Sequence, residues 1–202
     1  MTPTKGINTS PVFASGTTVG LKELVRLVDL WGWKSQTIDL LTRAAQGPRD
    51  QGWALQLLYQ IYSHQGDTRQ MCWVAARMRQ VDPANEVAEN NFAMLSLLLG
   101  SDVDHASDIA RRLYEKDPAN AVFASTYAYS LHLREKDDEA LRIMSALRVD
   151  QLRDPSIAAY YGILLASSGS RDEALKYLDL AKNAILLPEE KQLIATTLER
   201  LN

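Results

Sequence analysis

The 202 residues are 46% hydrophobic and 23% charged, the balance of a soluble folded protein of one or two domains. The 22 Lys+Arg are scattered among 25 Asp+Glu for a net charge of −3, which leaves neither the basic stripe of a nucleic-acid binder nor an acidic tail. A single cysteine, Cys72, excludes an intramolecular disulfide and fits a reducing compartment.

Residues 1–17 are rich in Thr, Ser, Gly and Pro, with Ile7, Val12 and Phe13 among few larger apolar residues, and read as a flexible arm. The arm has Lys5 as its only basic residue and lacks the apolar run of a signal peptide, and Leu95 to Leu99 is too short to span a bilayer. The expectation is a soluble cytoplasmic chain without direct membrane insertion, or a periplasmic or membrane-tethered one if it is a piece of a longer protein.

From Thr18 the pattern turns helical. Leu21, Leu24, Val25, Val28 and Trp31 recur at three and four residues and form one apolar stripe, which Gly32 ends. Lys34 to Ala45 resumes with Ile38, Leu41 and Ala45 on one face, and Gly47-Pro48 stops it. Trp53 to His64 and Thr68 to Val81 pair across Gly66-Asp67, where a glycine suits positive φ after a helix. The next pairs are Glu86 to Leu99 with Ala106 to Glu115, and Ala121 to Arg134 with Asp138 to Val149. The last pair is Ser156 to Ser167 with Arg171 to Leu186, followed by a helix over 189–201 with Leu193, Ile194, Leu198 and Leu201 on one side. No stretch alternates with a period of two between hairpin turns, so no strand is expected.

Asp117-Pro118-Ala119-Asn120 repeats Asp82-Pro83-Ala84-Asn85, and further marks fall at Asp154-Pro155-Ser156 and Pro188-Glu189-Glu190, a step of about 34 residues. The marks divide residues 18–202 into hairpins at about 18–51, 52–85, 86–120, 121–154 and 155–188, with a capping helix at 189–202. Proline breaks one hairpin, and Asn85, Asn120 and Asp154 stand where the next helix needs an N-cap.

Within that step, Tyr161-Gly162, Leu165, Gly169, Ala174, Leu178 and Ala181 sit at the offsets of a helical-hairpin signature. So do Tyr127-Ala128, Leu131, Ala140, Met144 and Leu147, and Phe92-Ala93, Gly100, Ala106, Ala110 and Leu113. The second hairpin departs where Tyr59 and Met71 replace small residues. The pattern resembles the tetratricopeptide-repeat family, and the resemblance implies an all-α, right-handed solenoid of antiparallel hairpins. Small residues permit close helix approach, so Gly162, Ala128 and Ala93 are expected against Ala174, Ala140 and Ala106.

His64, His105 and His132 lie far apart without metal-type spacing, and no phosphate loop, dinucleotide fingerprint or nucleophile elbow is present. No catalytic residue, cofactor or metal is expected. Trp31, Trp33, Trp53 and Trp73 cluster in the N-terminal part and are read as core packing, with an exposed docking site as the alternative.

The resemblance further implies a concave wall made by the first helix of each hairpin. The candidate partner-binding groove is then Gln56 and Gln60, Asn90, Asn91 and Met94, Ser125, Tyr129 and His132, and Tyr160, with Leu97 and Ile163 also pointing outward. Chaperone cofactors of this family clamp a C-terminal carboxylate with Lys, Asn and Arg, but Val122 and Thr126 stand where cations are needed here. An amide, aromatic and Met wall suits an extended peptide or a helix instead. The expected function is a non-catalytic scaffold or adaptor that binds a protein or peptide partner. The alternatives are a self-assembling or spacer module, with a possible homodimer, or the regulatory portion of a larger enzyme or secretion system.

Overall fold

The computed structural model describes residues 18–47 and 51–201, so the arm read at 1–17 lies outside the described residues. Among the described residues every regular element is helical: α1 Thr18–Leu30, α2 Lys34–Gln46, α3 Gln51–Gln65, α4 Thr68–Val81, α5 Glu86–Leu98 and α6 Val103–Lys116. The remainder are α7 Ala121–His132, α8 Asp137–Ser145, α9 Val149–Leu152, α10 Pro155–Ser167, α11 Arg171–Ala181 and α12 Pro188–Leu201. The expected all-α hairpin array is what the chain forms. It divides within α3 into two compact units, Met1–Ala54 and Leu55–Asn202.

In the first unit α1 packs on α2, burying Val25 and Val28 with Leu41, Ala44 and Ala45. Gly32 takes φ +73° between them, the left-handed conformation that ends a helix without a Cβ penalty. Trp31 does not join the stripe. It is 59% exposed and lies tilted against Trp33, itself exposed, with ring centroids 5.3 Å apart, because α1 ends at Leu30 and the turn carries both indoles off the buried face. Trp73 is exposed as well and Trp53 half-buried, with Lys22 Nζ over the Trp53 ring, so core packing does not describe the tryptophans.

In the second unit each hairpin packs on the next, α5 on α4 and α6, α7 on α6 and α8, α10 on α11. The first helices also meet side by side, α5 with α7 and α7 with α10, and these contacts set up one continuous wall. Caps fall where the repeat marks put them. The side chain of Asn85 accepts from Ala88 N–H at 3.0 Å, Asn120 from Val122 and Phe123, and Asp154 from Ser156 at 2.9 Å. Glu89 on α5 ties neighbouring helices together, accepting from Arg112 of α6 at 2.7 Å and from Arg79 of α4 at 3.5 Å.

Three local departures have physical causes. Asp102 adopts φ +50°, which completes the turn early and lets α6 begin at Val103 rather than Ala106. The turn after α7 has no glycine, and Glu135 takes the left-handed position at φ +60°. Helix α8 stops at Ser145 instead of running to Val149. Leu147 and Leu152 both bury in the apolar cluster around Met144. Five residues apart, they would face different sides of one continuous helix. The chain therefore extends at Arg148 and re-forms as α9, which Gln151 fixes by donating to the Ala119 carbonyl at 2.9 Å.

At Gly162 the helices approach closely, and the nearest residue across the contact is Leu178 rather than the expected Ala174. A Cβ built there would lie 2.8 Å from two side-chain atoms of Leu178 on α11. Ala93, Ala106, Ala128, Ala140 and Ala174 are all fully buried.

Candidate functional site

The wall made by α5, α7 and α10 encloses a cleft of about 520 Å³. Helix α5 supplies Asn90, Asn91 and Met94, α7 supplies Val122, Ser125 and Thr126, and α10 supplies Ser156, Ile157 and Tyr160. The α9 turn adds Asp150, Gln151 and Asp154, and Glu190 of α12 closes one side.

Five of the nine expected groove residues meet here: Asn90, Asn91, Met94, Ser125 and Tyr160. The other four do not line the cleft. Gln56 and Gln60 are exposed on α3, and His132 lies at the end of α7, where Nδ1 is 2.6 Å from Asp137 Oδ1. Tyr129 is buried, its ring packed against Tyr160 at 5.3 Å. Nor are Leu97 and Ile163 outward-facing, because both join the core shared with α12.

That helix changes the site. It packs on α10 and α11, buries Ile194 and partly buries Leu193, Leu198 and Leu201, as a capping helix should. Its first turn also reaches back across the wall. Pro188 lies beside Gly66, where a Cβ would come within 3.5 Å of its ring, Thr68 Oγ1 donates to Glu189 at 2.5 Å, and Tyr160 Oη donates to Glu190 Oε1 at 2.5 Å. Leu187 N–H donates to the other Glu190 oxygen at 2.8 Å. Residues expected to meet solvent are therefore covered by the chain's own C-terminal segment. Glu190, Asp150 and Gln151 carry no local motif, since they belong to the site only through the fold.

Three tyrosines converge near the Glu190 carboxylate. Burial pushes the Tyr59 phenol up to about 12, with Cys72 and Glu190 adding to it, and burial with Glu190 pushes Tyr129 up to about 12. Tyr160 rises well above the ordinary range, through burial first and then through the charge of Glu190 and its hydrogen bond. In the unfolded chain these groups ionise near pH ~10, so the unfolded state releases protons first and stability falls as pH rises past that point. Of the eight tyrosines, these three are expected to give phenolate absorbance only together with alkaline unfolding, between about pH 10 and 12. Eight tyrosines titrating as one class, without unfolding, would contradict the buried arrangement.

Among the described residues no group of three or more His, Cys, Asp or Glu is placed to hold a metal ion, and no helix is long and apolar enough to cross a membrane. Cys72 is half-buried, with Sγ 3.5 Å from Ser96 Oγ.

No protein-family model and no curated protein sequence matches the chain. Solved structures do. A thermophilic TPR protein of Thermus thermophilus, TTC0263, superposes with a TM-score of 0.55 at 17% identity, covering 89% of this chain and 99% of that one. A double mutant of MamA RS-1 gives 0.56 at 10% identity, covering 87% and 93%, and another MamA crystal structure gives 0.54 at 14%, covering 85% and 96%. At these identities the likeness is one of fold, and it agrees with the stacked hairpins: the chain has the tetratricopeptide-repeat fold.

Proposed function

We propose that the chain is a non-catalytic interaction module that holds an extended segment of a protein partner in the cleft between α5, α7 and α10. Asn90 carries this reading. It lines the cleft and is only 3% exposed, yet among the described residues nothing donates to its side-chain oxygen. An unpaired buried acceptor costs about 1–3 kcal/mol, and the backbone N–H of a docked segment would offset that cost. Asn91, Ser125 and Ser156 add polar groups along the same line, and Met94 and Ile157 add apolar surface for alternate side chains.

The test is fluorescence anisotropy of the full chain against labelled extended decapeptides of varied charge. Asn90→Ala and Asn91→Ala are each expected to weaken a binding peptide about tenfold. Because the Asn90 oxygen is unpaired, Asn90→Ala should cost little stability, which separates binding from folding. Binding that survives both changes would place the partner elsewhere. A self-associating spacer would instead sediment as a dimer whether or not peptide is present.

A further inference from the structure

We infer that the partner segment is cationic, an extended peptide presenting Lys or Arg; this rests on the cleft reading above. Asp150, Asp154 and Glu190 line the cleft, and no Lys, Arg or His does so among the described residues. Arg148 pairs with Asp150 from outside the lining, donating through Nε at 3.0 Å. Among the described residues the other two carboxylates have only neutral donors. Asp154 accepts from Ser156 N–H at 2.9 Å, and Glu190 accepts from Tyr160 Oη and Leu187 N–H. Neutral donors position a carboxylate and leave its charge in place.

The acidic edge faces a wall with a different task. Asn90, buried and with its oxygen unpaired, stands on α5, where a peptide backbone would run, while Asp154 and Glu190 stand at α10 and α12, within reach of its side chains. The apolar surface of Met94, Val122 and Ile157 suits the methylene stems of Lys and Arg, whose charged heads would then meet the carboxylates. An acidic segment would meet like charges with no cation in the lining, so charge complementarity selects against it.

The experiment uses the full chain and two labelled decapeptides identical in apolar residues, one carrying Lys and the other Glu at alternate positions. The Lys peptide is expected to bind roughly tenfold more tightly at low salt, with the difference shrinking as salt is added. In an Asp154→Asn, Glu190→Gln double variant, which keeps the helix cap and the acceptor for Tyr160, the preference should fall to about threefold or less. A preference unchanged by the double variant, equal affinities, or tighter binding of the Glu peptide would each overturn the cationic assignment while leaving the cleft reading intact. Failure of both peptides to bind would overturn both. Loss of binding in Asn90→Ala alongside an unchanged charge preference in the double variant would keep the cleft and reject the cation.

Discussion

Gly162→Leu is expected to lower the unfolding free energy by about 3 kcal/mol, read from urea unfolding near neutral pH. The cause is local. Leu178, 1% exposed, already fills the space that a side chain at 162 would need, and its backbone nitrogen lies 3.1 Å from a Cβ built there. Even Gly162→Ala should destabilise by about 1–2 kcal/mol, although alanine is the better helix former by up to about 1 kcal/mol. A double-mutant cycle sharpens the expectation. Leu178→Ala alone costs about 3 kcal/mol by leaving a cavity, and adding Gly162→Ala should then cost almost nothing, since the new methyl enters that cavity. If Gly162→Ala stabilises the otherwise unchanged chain, the contact between α10 and α11 is absent and the hairpin register is wrong.

Tyr160→Phe is expected to cost about 2 kcal/mol, because it removes a hydrogen bond to a carboxylate at a buried position. Tyr160 is 5% exposed, and its hydroxyl and Leu187 N–H are the donors that reach Glu190. Glu190→Gln keeps an acceptor and should cost less than half as much. Hydrogen exchange distinguishes a local role from a global one. In Tyr160→Phe the amides at the start of α12 should exchange faster, while those of α5 and α6 keep their protection. Uniform loss of protection would mean that the contact holds the whole unit rather than the C-terminal segment. The same variant should lose less stability at alkaline pH, since a buried, late-ionising phenol is gone.

Periodicity made the array legible. Apolar residues at three and four residues placed most of the helices, and the repeated Asp-Pro-Ala-Asn located the caps at Asn85 and Asn120 because both effects act within one turn. The proline shifts at the third mark. Pro83 and Pro118 stand in the turns ahead of those caps, whereas Pro155 is itself the first residue of α10, with Asp154 as its cap. The proline has moved three residues relative to its cap, while the caps themselves keep the step, 35 residues from Asn85 to Asn120 and 34 from Asn120 to Asp154, so α9 fits within the repeat length.

The cleft was half legible. Asn90, Asn91, Met94, Ser125 and Tyr160 share the first-helix register, so the repeat step alone brings them together. Its acidic side was hidden, because Glu190 reaches Tyr160 only when α12 folds back across the wall, a contact between residues with no shared periodicity. Exposure of Trp31 was hidden too, since a stripe extrapolated by spacing passes through the end of α1 without marking it.

Docking of a partner segment between α5, α7 and α10 is tested most directly by site-specific photocrosslinking. A benzophenone residue at Val122, 51% exposed and lining the cleft, should capture the labelled Lys decapeptide, with capture competed by unlabelled peptide. The same residue at Leu175, exposed on α11 and outside the cleft, should not. Capture at Leu175 with none at Val122 would contradict the account.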